Sequence, residues 1–165
     1  MNPRFFCPLP DEPQGALLLP AAVAHHVERV LRLSSGDSLT LFDGRGFEVD
    51  ARLEGKGRDL RAVLGERREP LREPALRITL MQCLAASDKM DWIVQKAVEL
   101  GVGRVQPVSS RRAVVRLAGE RAQRRVEHWR QIAVAACEQC GRNVVPEVRP
   151  LLSFEQAVAG ADGQR

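Results

Sequence analysis

Between His128 and Pro150 the chain reads HWRQIAVAACEQCGRNVVPEVRP, and Glu138, Gln139, Arg142 and Asn143 fall close together within it. A carboxylate can move a proton, a guanidinium can hold negative charge, and an amide can donate and accept. The flanking pattern predicts how they are carried. Trp129, Ile132, Ala133, Ala136, Cys137 and Cys140 recur at helical spacing as one apolar stripe. Ala133, Ala135 and Ala136 keep that face thin, so another backbone can approach. Gly141 can end the helix in a left-handed conformation, and Pro146 forbids its continuation. The polar set therefore sits where a tight helix meets a loop. Such a junction is either a solvated helix end or a site beside a rigid element, and spacing alone leaves both open.

Cys137-Glu138-Gln139-Cys140 has the spacing of a zinc half-site or a redox pair. A zinc site needs a second pair of ligands. Neither Cys7 nor Cys83 brings one nearby, and His25-His26 is a poor substitute. Both cysteines of the pair lie on the apolar stripe, so they read as small core residues, and no metal is expected.

The segment 104–130 is the most basic in the chain. It holds Arg104, Arg111, Arg112, Arg116, Arg121, Arg124, Arg125 and Arg130 against Glu120 and Glu127. Arg121, Arg124 and Arg125 lie about one turn apart and can share a helix face. Ser109-Ser110-Arg111-Arg112 follows a strand end, where α/β proteins bind ligands. The whole chain carries a net charge of +4 and a pI near 9.2, almost all of the positive charge as arginine. Arginine suits bidentate contacts with phosphates and base edges. A solvated helix face is the plain alternative. Tyrosine is absent and aromatic residues make up only 4%, which disfavours generic single-strand stacking.

These residues need elements to hold them. The 165 residues suffice for one large or two small domains. Arg4–Phe6 and Leu17–Leu19 are strand candidates. Pro20 opens a helix over 21–33, with Val23, Val27, Val30 and Leu31 inward and Arg29 and Arg32 outward. Strands follow over 38–42, 47–53 and 60–64, with Asp43-Gly44 as a hairpin turn. Short strands at this spacing suggest a small barrel. The charged, two-proline stretch 69–74 is the best domain boundary. Beyond it, 76–84 reads as a buried parallel strand. A helix capped by Ser87 or Asp88 runs to Leu100, and 104–108 is the next strand, making a βαβ unit. Ser153 with Gln156 signals a short capped helix. Gly101-Val102-Gly103 follows a helix and lacks a third glycine, so it is no dinucleotide fingerprint. No apolar run approaches the roughly 20 residues of a membrane span, and the start lacks a secretory signal. The chain reads as cytoplasmic, with its four cysteines reduced.

The run Asp88-Lys89-Met90-Asp91-Trp92-Ile93-Val94-Gln95-Lys96-Ala97-Val98-Glu99-Leu100-Gly101-Val102, then Pro107, Ser110-Arg111 and Trp129 through Pro150, resembles one enzyme family. This is the bacterial ribosomal RNA small-subunit (16S) uridine-N3 methyltransferase family, of the SPOUT class. Ala135 to Asn143, followed by Val145-Pro146-Glu147-Val148, is close to a family hallmark. Arg29-Val30-Leu31-Arg32 with Gly36-Asp37 and Leu41-Phe42-Asp43-Gly44 resembles the family's PUA-like barrel. The resemblance covers Arg4 to about Ala159. It implies a two-domain α+β chain: a PUA-like RNA-binding β-barrel over 1–72, then an α/β SPOUT methyltransferase domain over 75–165. It implies 16S rRNA of the small ribosomal subunit as partner, S-adenosyl-L-methionine as cofactor and a homodimer as the assembly, with no membrane and no metal.

The family's cofactor lies in a C-terminal trefoil knot, marked by Gly-Pro-Glu-Gly-Gly and Leu-Gly-x-Arg-(Ile/Val)-Leu-Arg-x-Glu-Thr. Neither run occurs here. The expectation is an α/β domain that is incomplete before the knot, with no cofactor-binding residue in this chain and no activity by itself. A uracil N3 must lose its proton as it attacks a methyl sulfonium, and negative charge spreads to the flanking carbonyls. Arg142 or Arg111 is the candidate to stabilise that charge, and Glu138 to take the proton or orient Arg142. Arg112, Arg121, Arg124, Arg125, Arg29 and Arg32 are the candidate RNA contacts. A non-catalytic RNA-binding module is the main alternative reading, and a CxxC redox or zinc protein is the disfavoured one.

Overall fold

The computed structural model describes residues 2–111 and 115–161. They form two compact units: residues 2–72 with Gly141–Val144, and 73–140 with 145–161.

The first unit is built on a five-stranded sheet. Its strands are β1 (Arg4–Phe6), β2 (Ala16–Leu18), β3 (Ser38–Phe42), β4 (Glu48–Glu54) and β5 (Arg61–Arg68), in the order β1-β3-β4-β5-β2. β1 runs parallel to β3, and the other pairs are antiparallel. Along β4, Val49, Ala51 and Leu53 are buried while Asp50, Arg52 and Glu54 are exposed, the period of two that one covered face imposes. They join Phe5, Val27, Leu39, Leu41, Leu60 and Ala62 in one core. The β4–β5 register shifts between Val49 and Ala51. Opposite that shift a Cβ on Gly65 would meet the Asp50 carbonyl oxygen at 2.8 Å, so only glycine lets the backbones approach.

The helix expected over 21–33 is shorter and changes character. α1 (Ala21–His25) runs into a π turn over His26–Val30. Each turn there takes an extra residue, as in the Leu31 N–H bond to the His26 carbonyl, and this rotates the later side chains off the core line. Val27 is buried as expected, but Val30 and Leu31 are exposed. Arg32 then takes a left-handed φ of 57°, and the Leu33 N–H closes back onto the Val27 carbonyl at 3.0 Å. Leu33 packs against the core in their place.

Two carboxylates, Asp43 and Glu48, lie inside this unit. The Glu48 side chain is 3% exposed and pairs with Arg4, 7% exposed, at 2.6 Å. Arg72 reaches both Glu48 oxygens, at 2.7 and 3.0 Å. Burial pushes the Glu48 carboxyl up, but the hydrogen bonds from Arg4 and Arg72 outweigh it and hold it below the usual carboxylate range.

The second unit is a parallel sheet of β6 (Thr79–Cys83), β7 (Arg104–Ser109), β8 (Glu147–Val148) and β9 (Leu152–Ser153), with β7 pairing all three others. α2 (Ser87–Glu99) connects β6 to β7, α3 (Gly119–Cys140) follows, and α4 (Phe154–Ala159) closes the described chain. The strand expected to be buried on both faces is not β6. Thr79, Met81 and Cys83 are exposed, because among the described residues β6 pairs on one side only. The central β7 has that character instead, with Val105, Gln106, Pro107 and Val108 all buried. The cap position of α2 is Ala86, and neither Ser87 nor Asp88 fills it. The Ser87 hydroxyl instead accepts a hydrogen bond from the Arg125 guanidinium of α3. α4 does carry the expected capping box of Ser153 and Gln156.

α2 and α3 are locked through Asp91. It accepts from Trp129 Nε1 at 3.1 Å and faces His128 Nε2 at 2.9 Å, while Arg125 stacks over the Trp129 ring. Trp129 is 1% exposed, so its indole N–H requires that partner.

The acid behaviour of the first unit follows from Glu48. A carboxyl whose folded pKa is lowered contributes stability above its unfolded value, near 4.3, and loses it as pH falls through the folded value. Glu48→Gln leaves Arg4 without its counter-charge and should cost about 3–5 kcal/mol at pH 7. The gap between wild type and variant should narrow as pH is taken down through 4 towards 2. Urea melts at pH 7 and pH 3 measure it, and an equal gap at both would show that the Glu48 charge is not the stabilising feature.

Candidate functional site

The helix that leads into the polar cluster stops where the sequence indicates. α3 ends at Cys140, and Gly141 follows with φ of 87°, a conformation that glycine tolerates and other residues resist. On its inner face Trp129, Ala133, Ala136 and Cys137 are buried. Cys140 was expected in the same core and is exposed. Among the described residues no group of three or more His, Cys, Asp or Glu could hold a metal ion. Burial pushes the Cys7 thiol up to about 11, so it stays protonated at neutral pH.

Beyond Gly141 the chain enters the first unit. Arg142 is 5% exposed and Asn143 is 2% exposed, so neither is a solvated end. Each residue of this short segment has a fixed partner. The Gly141 carbonyl accepts from Arg72 Nη1 at 2.8 Å. Arg4 Nη2 donates to Asn143 Oδ1 at 2.5 Å and more weakly to the Arg142 carbonyl at 3.5 Å. Val144 forms an antiparallel bridge with Arg45. The loop bearing Arg45 is rigid for its own reason. The Asp43 carboxylate accepts from the backbone N–H groups of Arg45, Gly46 and Phe47 and from Arg45 Nε.

The other candidates are placed as follows. Glu138 is half-buried in the last turn of α3 and counts with the second unit. Gln139 lines a groove of about 550 Å³ between α2 and α3 with Asp88, Asp91, Trp92 and Ala135. Arg111 lies just past β7 and pairs with Glu155 of α4 at 3.3 Å, both largely exposed. Arg121 and Arg124 are exposed on α3, the latter paired with Glu120. Arg125 does not share their solvent face, because Ser87 and Asp91 draw it towards α2. Arg29 and Arg32 are exposed around the π turn. Arg112 lies outside the described residues. Sequence reasoning missed Arg4, Glu48 and Arg72, and it gave Asn143 no role. Nothing local marks them, because the partners are 24 to 139 residues apart along the chain.

Among the described residues no helix is long and apolar enough to cross a membrane. A family model described as an RNA methyltransferase domain matches residues 72–165, and one described as an RNA methyltransferase PUA domain matches 19–60. Ribosomal RNA small subunit methyltransferase E of Bacillus subtilis is 34% identical over 133 residues, which is 80% of this chain and 52% of the relative. The chain thus spans about half the length of that curated relative. The crystal structure of a ribosomal RNA small subunit methyltransferase E from Neisseria gonorrhoeae, bound to S-adenosyl methionine, superposes with a TM-score of 0.92 at 38% identity. That match covers 99% of this chain and 67% of the other. A putative methyltransferase from Legionella pneumophila, in complex with the same cofactor, gives a TM-score of 0.93 at 32% identity, covering 98% and 67%. The five-stranded sheet with its buried core is the PUA part, and the parallel sheet with α2 and α3 is the α/β part of a SPOUT-type fold. The chain belongs to the RNA methyltransferase family that includes the ribosomal RNA small subunit methyltransferases E.

Proposed function

We propose that this chain supplies the RNA-binding and uracil-holding part of a cytoplasmic enzyme that methylates N3 of a uridine in 16S ribosomal RNA, working as a homodimer. The observation that carries this reading is Arg142, a guanidinium 5% exposed on a segment whose backbone is fixed at several points. A buried, pre-placed cation suits a reaction that spreads negative charge onto carbonyl oxygens. Uracil N3 gives up its proton as it becomes the nucleophile, and O2 and O4 take up the charge. In this reading Arg142 faces that charge, and Glu138 accepts the proton or orients the guanidinium. Arg111 is the second cation candidate, at the end of the central strand. Arg112, Arg121, Arg124, Arg29 and Arg32 contact RNA phosphates, and Arg125 holds the helix pair together.

S-adenosylmethionine, the cofactor in the two related structures, supplies the electrophilic methyl group. The described residues do not fit it well. The groove of about 750 Å³ beside α3 is walled by side chains including Arg124, Glu127 and Arg130, with Pro150 and Leu151 opposite. The smaller groove is walled by α2 and α3 alone. Charged side chains, Arg124, Glu127 and Arg130, line the larger one, and Asp88 and Asp91 line the smaller. No step is therefore assigned through the cofactor. The same observation favours a second reading, in which this chain by itself is an RNA-binding piece.

RNA binding tests the phosphate contacts. Each contact adds about 0.7–0.9 to the log–log salt slope. Replacing both Arg121 and Arg124 by glutamine should weaken binding to small-subunit RNA and lower the slope by about 1.5. Arg125→Gln should lower the melting temperature more than the slope. An unchanged slope in the double variant would make that face merely solvated.

Calorimetry and turnover test the rest. The 165-residue chain alone should give no heat with S-adenosylmethionine and transfer no methyl group. Supplying the remaining half of a full-length relative, in cis or as a second chain, should restore both. In that completed enzyme Arg142→Ala should lower turnover by about 10²–10³ while RNA affinity holds. Methyl transfer by the 165 residues alone would overturn the RNA-binding-piece reading, and full turnover in Arg142→Ala would remove Arg142 from the site.

A further inference from the structure

We infer that Arg4, held by Glu48, is a positioning residue: it sets the backbone of Arg142 and the side chain of Asn143 from within the RNA-binding unit. This rests on the role proposed for Arg142.

The geometry is a clamp with one hub. Glu48 is buried and meets three guanidinium groups, Arg68 at 3.5 Å and, more closely, Arg4 and Arg72. The latter two span from Glu48 to the segment just past α3. Arg72 Nη1 lies 2.7 Å from Glu48 Oε2 and 2.8 Å from the Gly141 carbonyl oxygen. Arg4 puts Nη1 on Glu48 Oε2 at 2.6 Å and Nη2 on Asn143 Oδ1 at 2.5 Å, with the Arg142 carbonyl at 3.5 Å. The Arg4 guanidinium also stacks over the Phe42 ring, its centre 5.2 Å from the centroid, which fixes its plane. The Val144–Arg45 bridge anchors the far end.

The residue types matter. A planar fork can hold a carboxylate on one nitrogen and an amide oxygen on the other; an ammonium is a single point and cannot span them. A carboxylate buried this deeply needs both cations, so the clamp is hard to loosen at one arm without disturbing the other. The Glu48 charge therefore does more than stabilise the sheet. It fixes two side chains whose remaining N–H groups determine where Arg142 begins. Placement errors of about 1 Å can cost on the order of 100-fold in rate, so such a clamp has a catalytic consequence without touching substrate.

The test uses Arg4→Lys, which keeps the charge beside Glu48 and loses the fork, and Asn143→Ala, which breaks the second arm and leaves the Arg4–Glu48 pair whole. Hydrogen exchange on the 165-residue chain reads the segment directly and needs no activity. Exchange in Gly141–Val144 should quicken by about tenfold or more in both variants, with β3, β4 and β5 unchanged. In the completed enzyme, Arg4→Lys should lower kcat by about 10–100-fold with RNA affinity within about twofold. Unchanged exchange in the segment, or faster exchange throughout the first unit in both variants, would overturn the inference. So would weaker RNA binding with kcat intact. Quickened exchange confined to the segment, together with full turnover in Arg142→Ala, would overturn the role of Arg142 and leave the clamp standing.

Discussion

A carboxylate taken out of water must find its compensation inside the protein, and Glu48 is where this chain meets that demand. Its side chain is 3% exposed, and desolvation works against its charge. Arg4 and Arg72 answer it with hydrogen bonds, and Arg68 adds a longer ion pair at 3.5 Å. Arg4 comes from β1 and Arg72 from beyond β5, so the hub joins the start of the first unit to its end. A neutral pair would leave the remaining N–H groups of those arginines without purpose. Charged and planar as they are, they turn to the carbonyl and amide oxygens of Gly141, Arg142 and Asn143. The electrostatic demand of one residue thereby helps to fix where three residues of a distant segment lie.

That demand also explains why α3 stops abruptly. A further turn of helix would direct the 141 and 142 carbonyls along the helix axis, into backbone hydrogen bonds. The clamp needs them turned outward. Gly141, at φ of 87°, makes the turn without strain, and Pro146 keeps the helix from resuming at once, so the next helix is α4 at Phe154. Upstream, α3 is held just as firmly by its own contacts. Trp129 is buried with its N–H on Asp91, and Ala133 and Ala136 let the helix sit close against its neighbours. Glu138 and Gln139 thus leave a helix with little freedom of its own.

What the sequence made legible was mostly local. The helix stop at Gly141, the βαβ order and the capping box of Ser153 and Gln156 depend on neighbours within a turn or two, and periodicity captures such things. The errors have a common origin in contacts far along the chain. Ser87 was expected as a cap and instead meets Arg125, 38 residues on. Arg125 was expected in a basic face and is drawn inward by Ser87 and Asp91. Val30 and Leu31 were expected in the core, but one π turn shifts the period and no sequence pattern announces it. In the segment past α3, Arg142 was singled out because the run around it is distinctive, and its burial is what the structure adds. Arg4 was not, because an arginine beside two phenylalanines gives no sign of a partner 139 residues away.

The choice of arginine at both ends of this arrangement has one physical logic. In the role proposed for Arg142, a buried cation that meets charge as it forms gains most when its position is fixed beforehand, since no dipoles then need to reorganise during the reaction. Side chains with four rotatable bonds are poor at this unless something else fixes their root. For Arg142 the root is the backbone of Gly141–Val144, and that backbone is itself held by guanidinium groups whose planes are set by a carboxylate and an aromatic ring. The ordering entropy is met during folding, when burial of Leu39, Leu41, Val49 and Leu53 can offset it, and is not left to be met at each encounter with substrate. A lysine at position 4 would keep the charge balance of Glu48 but would hold one oxygen where the arginine holds two, and the order would fail at the Asn143 arm first.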